Sequence, residues 1–478
     1  MRSDDAGLAG DVEMSPVIRV LQATGLLCVA LAVGGCSSTR PWVNPPLTAQ
    51  APRATQAAHP TTPSAQPVMM AVTLSGGGAR AAAFGLGVLQ ALKATTFRLD
   101  GQATSLLDHT AMISGVSGGS ILAAHYAAFG DATLTRFEPD FLLVPFESRL
   151  IREALWPERL YKLTSPWYGR SQILAQRFDE LFEGRTFGDV RRRPGAPDLM
   201  ITATDLTSGA AFDFTPEQFQ RICSDLDATP LSFAVAASSA VPLLLSPVTV
   251  HNHADACPHP APAPPATTAA DAQDYRSRML QRTAEAYRNA REKPFIHLVD
   301  GGVTDNLGVR LMLDRMVALG SMSANFVDAK PGTIRRLVLV TVNSERGLTE
   351  RVDNSDRVPT TTQVLETLIF GAGSRETEVT LALLKDDTRR WRTEIERTRG
   401  QPGSPFAADA EIHVISVSLH DVPDDKIRHS LLRVPTAFTI EAHDVVALQR
   451  AGAEALRASA GFQTLQRSLN ALEATPSP

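Results

Sequence analysis

Thr110-Ala111-Met112-Ile113-Ser114-Gly115-Val116-Ser117-Gly118-Gly119-Ser120-Ile121-Leu122 is the stretch on which the fold turns. Thr110 to Ser114 is apolar and β-prone, Gly115 to Gly119 is a turn, and Ser120 to Phe129 carries a helical pattern. The same grammar stands some 40 residues upstream. Val68 to Leu74 reads as a buried strand and Ser75-Gly76-Gly77-Gly78-Ala79-Arg80 as a glycine turn. Ala81 to Ala94 reads as a helix, with Phe84, Val88, Leu89 and Leu92 at helical spacing. Strand, glycine turn and helix, twice over, predict an α/β fold with a mostly parallel central sheet covered by helices.

Further strands are predicted at Leu199 to Thr204, with a hairpin partner at Ala210 to Phe214, and at Phe295 to Val299, Arg335 to Val342 and Glu411 to Val417. Helices are expected within 135–185, 231–240, 272–292, 303–320, 360–398 and 440–470. The Pro- and Ala-rich segment 254–270 reads as an excursion on the surface. No solenoid-type repeat recurs, so one α/β domain is expected over 68–470.

The 478 residues carry 46 Lys and Arg against 51 Asp and Glu, a formal net charge of −5, with 44% apolar and 20% charged residues. That balance excludes a long disordered chain, a polytopic membrane protein and a dedicated nucleic-acid binder. Four Cys in this length exclude a disulfide framework.

Residues 1–35 read as a targeting segment and not as part of the fold. Val20 to Val33 is an apolar run of signal-peptide length, with Arg19 as its positive flank. Asp4, Asp5, Asp11 and Glu13 are unusual before such a run, so either Met1 or Met14 serves as the start. Val33-Gly34-Gly35-Cys36 resembles the lipobox of bacterial lipoproteins, which implies acylation of Cys36. A plain signal peptide and an uncleaved anchor are the other readings. Several acyl chains hold a protein at a bilayer. Ser37 after Cys36 implies, by the same resemblance, the outer membrane of a bacterial envelope. Residues 36–67, rich in Pro, Ala, Thr and Ser, are expected to be a tether, with a reach of about 30 Å as a coil and about 95 Å extended.

In the mature chain Cys223 and Cys257 remain besides Cys36. They either pair as a disulfide, if the body is exported, or stay as two buried thiols. His251, His253, Asp255 and His259 have the look of a metal cluster, but no helical or strand spacing organises them, and a solvated loop is the expectation.

The turn around Ser117 is a G-x-S-x-G. A nucleophilic Ser has to stand clear of the sheet on a tight strand-to-helix turn, and the small neighbours Gly115 and Gly119 permit that turn. The helix that follows aims its N-terminal amides toward the site. Gly76, Gly77, Gly78 and Ala79 offer backbone amides that converge on an anion, as an oxyanion hole requires. The same residues fit a dinucleotide fingerprint, Gly76-x-Gly78-x-x-Ala81 with Asp100 beyond it. Thr95 to Leu99 is a poor second strand for that fold, and no Gly-Lys-Ser/Thr follows for a phosphate loop. A third element is Leu298-Val299-Asp300-Gly301-Gly302-Val303-Thr304-Asp305-Asn306. Placed beside a Ser, Asp300 accepts its proton; standing alone, it caps the helix that follows.

Gly76-Gly77-Gly78-Ala79-Arg80, Gly115-Val116-Ser117-Gly118-Gly119 and Asp300-Gly301-Gly302, in that order and on strand ends, resemble the patatin-like phospholipase family. Ala236-Ala237-Ser238-Ser239-Ala240-Val241-Pro242 is similar to that family's Ala-Ser-x-Ala-x-Pro segment. Asp205-Leu206-Thr207-Ser208-Gly209, with Phe212 and Phe214, is similar to its central hairpin. The likeness covers most of 70–310. It implies a three-layer α/β fold and a serine lipid acyl hydrolase with Ser117 as nucleophile and Asp300 as base. It also implies an oxyanion hole from the amides of Gly76, Gly77, Gly78 and Ala79, with Arg80 fixing that loop. It implies a lipid substrate at a membrane surface, no cofactor and no metal. Ala81 stands where the family often has Gly, and Asp305 is expected to cap or buttress.

Two other readings make different demands. An α/β-hydrolase esterase predicts a catalytic His late in the chain, with His413, His420, His429 and His443 as candidates. A silent envelope scaffold predicts a vestigial site. Phe141 to Val144 and Leu368 to Phe370 read either as a lid or acyl groove or as helix core.

Overall fold

Alternate residues of the central strands enter two different cores, and this parity gives the molecule its three layers. The computed structural model describes residues 37–48, 66–257, 275–326, 328–346 and 356–473. The signal-type segment, Cys36 and most of the expected tether lie outside the described residues.

The strands are β1 (Val68–Leu74), β2 (Thr96–Leu99), β3 (Gln102–Ser105), β4 (Thr110–Val116), β5 (Asp198–Asp205), β6 (Ala211–Asp213), β7 (Val248–His251), β8 (Phe295–Asp300), β9 (Ile334–Asn343) and β10 (Phe406–Ser418). The main sheet runs β10-β9-β1-β4-β5-β8-β7, with β6 paired to β5. The run from β10 to β5 is parallel throughout. β8 lies antiparallel to β5, and β7 antiparallel to β8. The helices that matter for the site and its surroundings are α1 (Gly78–Ala94), α2 (Gly118–Phe129), α3 (Phe146–Ala154), α4 (Pro157–Leu163), α5 (Arg170–Leu181), α6 (Leu231–Ser238), α7 (Thr361–Thr398), α8 (Ala442–Ala458) and α9 (Ala460–Glu473).

On β1, Val68, Met70, Val72 and Leu74 join one core with α1, α2, α6 and α8, while Met69 and Ala71 pack against the other. On β9, Val338, Val340 and Val342 enter the first core; Leu337 and Leu339 enter the second, with Leu384, Trp391 and Ile395 of α7. A parallel sheet buried on both faces needs apolar residues at both parities, which is why β9 reads as a continuous apolar run from Leu337 to Val340. α1 and α8 cross with their backbones in contact. A Cβ on Gly87 would lie 1.9 Å from the Gln449 carbonyl oxygen, and one on Gly452 2.2 Å from that of Phe84.

The expected strands all form, and so does the α/β order. The hairpin β2–β3 was not foreseen, although Leu99 opposes Gln102 across Asp100-Gly101, both at positive φ. That is the two-residue turn an Asp-Gly pair specifies. β7 was also missed, being four residues long beside a Pro-rich stretch. The helix expected over 303–320 begins properly only at Arg310, and 440–470 breaks into two helices at Ser459.

The tether expectation needs correction at its near end. Residues 37–48 are a strap bound to the body. Trp42 meets Phe233 with ring centroids 4.6 Å apart. Asn44, 1% exposed, donates to the His251 carbonyl at 3.0 Å and accepts the His251 amide at 2.8 Å. The Leu47 amide donates to the Cys223 carbonyl at 2.9 Å. Cys223 itself is joined to Cys257 in a disulfide, so of the two readings of these thiols the paired one holds. The strap therefore seats on the loops that this bond ties together.

Candidate active site

β5 sets the spacing of the site. Val116, the last residue of β4, pairs with Thr202, and on the other side of β5 Asp300 pairs with Ala203. Neighbouring strands lie about 4.8 Å apart, so Ser117 and Asp300 flank one short piece of β5 and lean toward each other across it. Ser117 Oγ donates to Asp300 Oδ2 at 2.8 Å. Both residues are buried.

Ser117 sits at φ +48°, a region that non-glycine residues seldom occupy. Such strain costs about 1–3 kcal/mol and persists only where the surroundings enforce it. Here they do. The Ser117 amide donates to Ser238 Oγ at 2.8 Å, and Ser238 Oγ donates in turn to the Thr202 carbonyl at 2.6 Å. The Ser117 carbonyl accepts from Ser120 Oγ at 2.6 Å and from the Ser120 amide at 2.9 Å. A Cβ on Gly115 would stand 2.6 Å from the Gly119 carbonyl, so these two glycines let strand and helix meet at the elbow.

Asp300 is held at its backbone by the Ala240 carbonyl, which accepts its amide at 3.0 Å, and by Thr204 Oγ1, which donates to its carbonyl at 2.9 Å. Its Oδ1 accepts the Gly302 amide at 2.8 Å. Burial pushes the carboxyl up to about 6, against the opposing pull of the Gly302 amide and the Ser117 hydroxyl. Asp300 is thus ionised at neutral pH and more basic than an ordinary Asp.

The glycine loop between β1 and α1 lies against Ser117. A Cβ on Gly76 would be 3.4 Å from that of Ser117, and one on Gly118 2.1 Å from the Gly78 carbonyl. Two of the four amides expected to face an oxyanion are otherwise engaged. The Gly76 amide donates to the Asn306 carbonyl at 3.0 Å, and the Ala79 amide to the Ala437 carbonyl at 2.7 Å. Neither is available to a ligand, which corrects the sequence expectation for Gly76 and Ala79. Among the described residues, no acceptor takes the amides of Gly77 and Gly78. Both have positive φ, +135° and +62°.

Arg80 closes the loop from behind. It is 2% exposed, and its guanidinium donates to the Ser344 carbonyl at 3.1 Å, the Val434 carbonyl at 2.8 Å and Thr436 Oγ1 at 3.0 Å. Burial lowers its pKa to about 9, which leaves it charged at neutral pH. Ser344 and the segment 434–437 carry no motif, and only the fold reveals their part. Ser238 was legible as part of a segment but not as the partner of the Ser117 amide. Asp305 accepts the amides of Leu307, Gly308 and Arg310 and so buttresses the turn.

The histidines sit elsewhere. His413 is on β10, three strands from β4, with its ring on Glu411 at 3.0 Å. His429 turns its Nδ1 to the Asp425 carbonyl, and His443 lies on exposed α8 surface beside Asp444. His253 shares its Nε2 with the Asn44 carbonyl, and Asp255 accepts the Ala290 amide; His259 lies outside the described residues. No group of three or more His, Cys, Asp or Glu is placed to hold a metal among the described residues. Phe141 and Leu142 are core, in ring contact through Phe141 with Phe137 and Phe146. The side chains of Leu368 to Phe370 lie outside the described ones.

A family model described as patatin-like phospholipase matches residues 72–313, half of the chain. By sequence, no curated protein matches the chain. Among solved structures, human GIVD cytosolic phospholipase A2 is similar at 12% identity and a TM-score of 0.44, over 84% of this chain and 62% of that one. Its complex with methyl gamma-linolenyl fluorophosphonate is similar at 11% identity and 0.38, over 86% and 60%. VipD from Legionella pneumophila is similar at 11% identity and 0.28, over 86% and 67%. The chain thus spans less than two thirds of the human enzyme's length.

Proposed function

This chain belongs to the patatin-like phospholipase family, and on that premise we propose that it is a serine lipid acyl hydrolase of phospholipase A type, working through Ser117 and Asp300. The observation that carries the reading is the 2.8 Å bond from Ser117 Oγ to Asp300 Oδ2, at the foot of a loop with two unengaged amides. Asp300 takes the hydroxyl proton as Ser117 Oγ bonds to the ester carbonyl carbon. The Gly77 and Gly78 amides receive the oxyanion. The intermediate collapses, the C–O bond breaks, and the alcohol or lysolipid leaves with the proton from Asp300. Water then attacks the acyl-enzyme, Asp300 takes its proton, and Ser117 regains that proton as the fatty acid departs. The Gly76 and Ala79 amides hold the loop's shape instead of the charge.

The cycle asks nothing of an imidazole. That separates it from the esterase reading with a catalytic His, of whose candidates His413, His429 and His443 have partners away from Ser117. It uses no cofactor. We further propose that residues 1–35 are a signal peptide, that Cys36 is acylated, and that the body, 68–470, works on lipid at the envelope of a bacterium. Support for the anchor is the sequence Val33-Gly34-Gly35-Cys36.

The test is fatty-acid release from a panel of phospholipids, lysophospholipids and neutral lipids by the wild type and Ser117→Ala. Release that depends on Ser117 is expected for at least one phospholipid. Equal release by both forms, or none from any lipid, rejects the hydrolase. Labelling of Ser117 by a fluorophosphonate probe separates the enzyme from a silent scaffold, which leaves it unlabelled.

A further inference from the structure

Nine of the eighteen large hydrophobic side chains exposed on the described surface fall in two short segments, 143–167 and 243–244. A cluster of that kind marks contact with another apolar body. Leu155 and Trp156 are 64% and 65% exposed, and Leu244 is 69% exposed. The two segments are neighbours in space. Arg170, at the start of α5, donates to the Leu243 carbonyl at 2.6 Å, and the Ser171 amide donates to Ser246 Oγ at 3.1 Å.

This face lies beside the site on both sides. Phe146 of α3 packs on Phe438, ring centroids 5.7 Å apart, next to the Ala437 carbonyl that holds the glycine loop. Leu243 follows by three residues Ala240, whose carbonyl accepts the Asp300 amide. The charge of the face also departs from that of the chain. From Phe146 to Arg170 there are five basic and three acidic residues, in a protein with net charge −5. Trp and Tyr among Leu, Ile and Arg is the mixture that suits the boundary between lipid headgroups and acyl chains.

The strap enters on the same face. The Ser37 amide donates to Thr164 Oγ1 at 2.9 Å, Ser165 Oγ donates to the Thr39 carbonyl at 2.7 Å, and the Arg40 guanidinium covers the Trp167 ring at 3.9 Å. The first described residue is thus bonded to the loop after α4, one position beyond Cys36.

We propose that the face formed by α3, α4, the turn into α5 and Leu243-Leu244 is a bilayer-docking surface for anionic lipid, and that the strap fixes the chain's point of anchorage to it. The proposal rests on the reading of a bilayer lipid as substrate and adds where and how the body meets that bilayer. Held in this way, the body lies on the membrane through a face whose elements pack against the residues that hold the glycine loop and Asp300. A body swinging on 31 residues of tether would face the lipid only part of the time.

The experiment uses the full chain with vesicles of phosphatidylethanolamine and phosphatidylglycerol whose acyl chains are partly brominated. Four Trp report: Trp156 and Trp167 on the exposed face, Trp42 against Phe233, and Trp391 in the core. Bromine is expected to quench emission, and Trp156→Phe to remove most of the quenchable part, whereas Trp391→Phe leaves the quenched emission in place. Leu155→Glu is expected to lower quenching of the remaining Trp several-fold, while Val446→Glu, an exposed site on α8, does not. Thermal unfolding of both Glu variants confirms that they are folded. Absent quenching, or quenching indifferent to Leu155→Glu, overturns the proposal. So does a Trp156 emission that responds to protein concentration without lipid and not to brominated vesicles, since the face then joins two copies of the chain. Ser117→Ala is expected to be quenched like the wild type. Quenching without fatty-acid release from any lipid rejects the hydrolase and supports the docking surface.

Discussion

Ser117 Oγ donates to Asp300 Oδ2 at 2.8 Å across 183 residues of chain, and a single strand, β5, separates the two strands that carry them. Because β4 and β8 pair with adjacent residues of β5, the contact is set by sheet register and not by loop flexibility. A shift of one residue in either pairing would carry one partner to the other face.

Replacing either partner is expected to remove catalysis while the fold persists. Ser117→Ala and Asp300→Asn should each lose roughly a thousandfold or more in the rate of acyl release. His413→Ala and His443→Ala should stay within about threefold of the wild type. Steady-state kinetics on a soluble ester gives all four numbers, and a His variant as impaired as Ser117→Ala would sink the two-residue mechanism.

The rate should rise with pH through about 6. The proposed base, Asp300, can take a proton only when ionised, and burial holds its carboxyl near that value. kcat/KM is therefore expected to be near half its plateau at about pH 6 and to fall about tenfold for each unit below. A profile that is flat down to pH 4.5 contradicts the assignment of the base.

The contribution of three buried aspartates to stability should fall as the pH rises from about 4 to about 7. Asp213, Asp300 and Asp305 are pushed up by burial to about 7, 6 and 6, whereas an unfolded Asp ionises near 3.8. In that window these three carboxyls hold protons in the folded chain that they release on unfolding, so their contribution is lost with increasing pH. Asp213→Asn keeps an acceptor for Thr202 Oγ1. It should raise stability by on the order of 2 kcal/mol at pH 8 and by much less at pH 5. Thermal denaturation at the two values reads the difference.

Arg80→Lys should be a poor exchange. A lysine presents one point charge where the guanidinium reaches three acceptors on two separate segments. Stability is expected to drop by about 2–4 kcal/mol. Activity should drop further than the folded fraction alone explains, because the loop bearing Gly77 and Gly78 loses its support. Denaturant titration alongside fluorophosphonate labelling separates the two losses.

Shortening the chain should matter by position. A chain beginning at residue 60 lacks the strap and the contacts of Trp42 and Asn44, whereas one beginning at Ser37 keeps them. The shorter chain is expected to melt lower, and reduction of Cys223–Cys257 should lower the longer chain's stability by about 4 kcal/mol, the value for a loop of this size. Equal melting of the two chains would mean that the strap adds nothing.

Much of the site was open to reading because local grammar specified it. Each of Ser117, Asp300 and the glycine loop stands at a strand end with glycine beside it, and such turns are dictated by residues a few positions apart. What stayed hidden depends on distant pairing. The Ala437 and Asn306 carbonyls, which take two of the expected oxyanion amides, are brought in by tertiary contact, and no short-range pattern marks them. The strap was misjudged for a related reason. Pro, Ala and Thr near Trp42 and Asn44 resemble a linker in composition, and a single buried Asn with three hydrogen bonds is enough to overrule composition. The Asp100-Gly101 hairpin is different, because its turn signal stands in the sequence while the strands beside it are only four residues each, too short to mark themselves.

β1 occupies the middle of the sheet, between β4 and β9, so its Val68 to Leu74 backbone is sealed on one flank by Arg336 to Val342. First of the described strands in chain order, β1 is completed only when β9 has joined it. A polypeptide stalled or clipped before that point leaves an open sheet margin and an unsupported glycine loop, because Ser344 is missing as well.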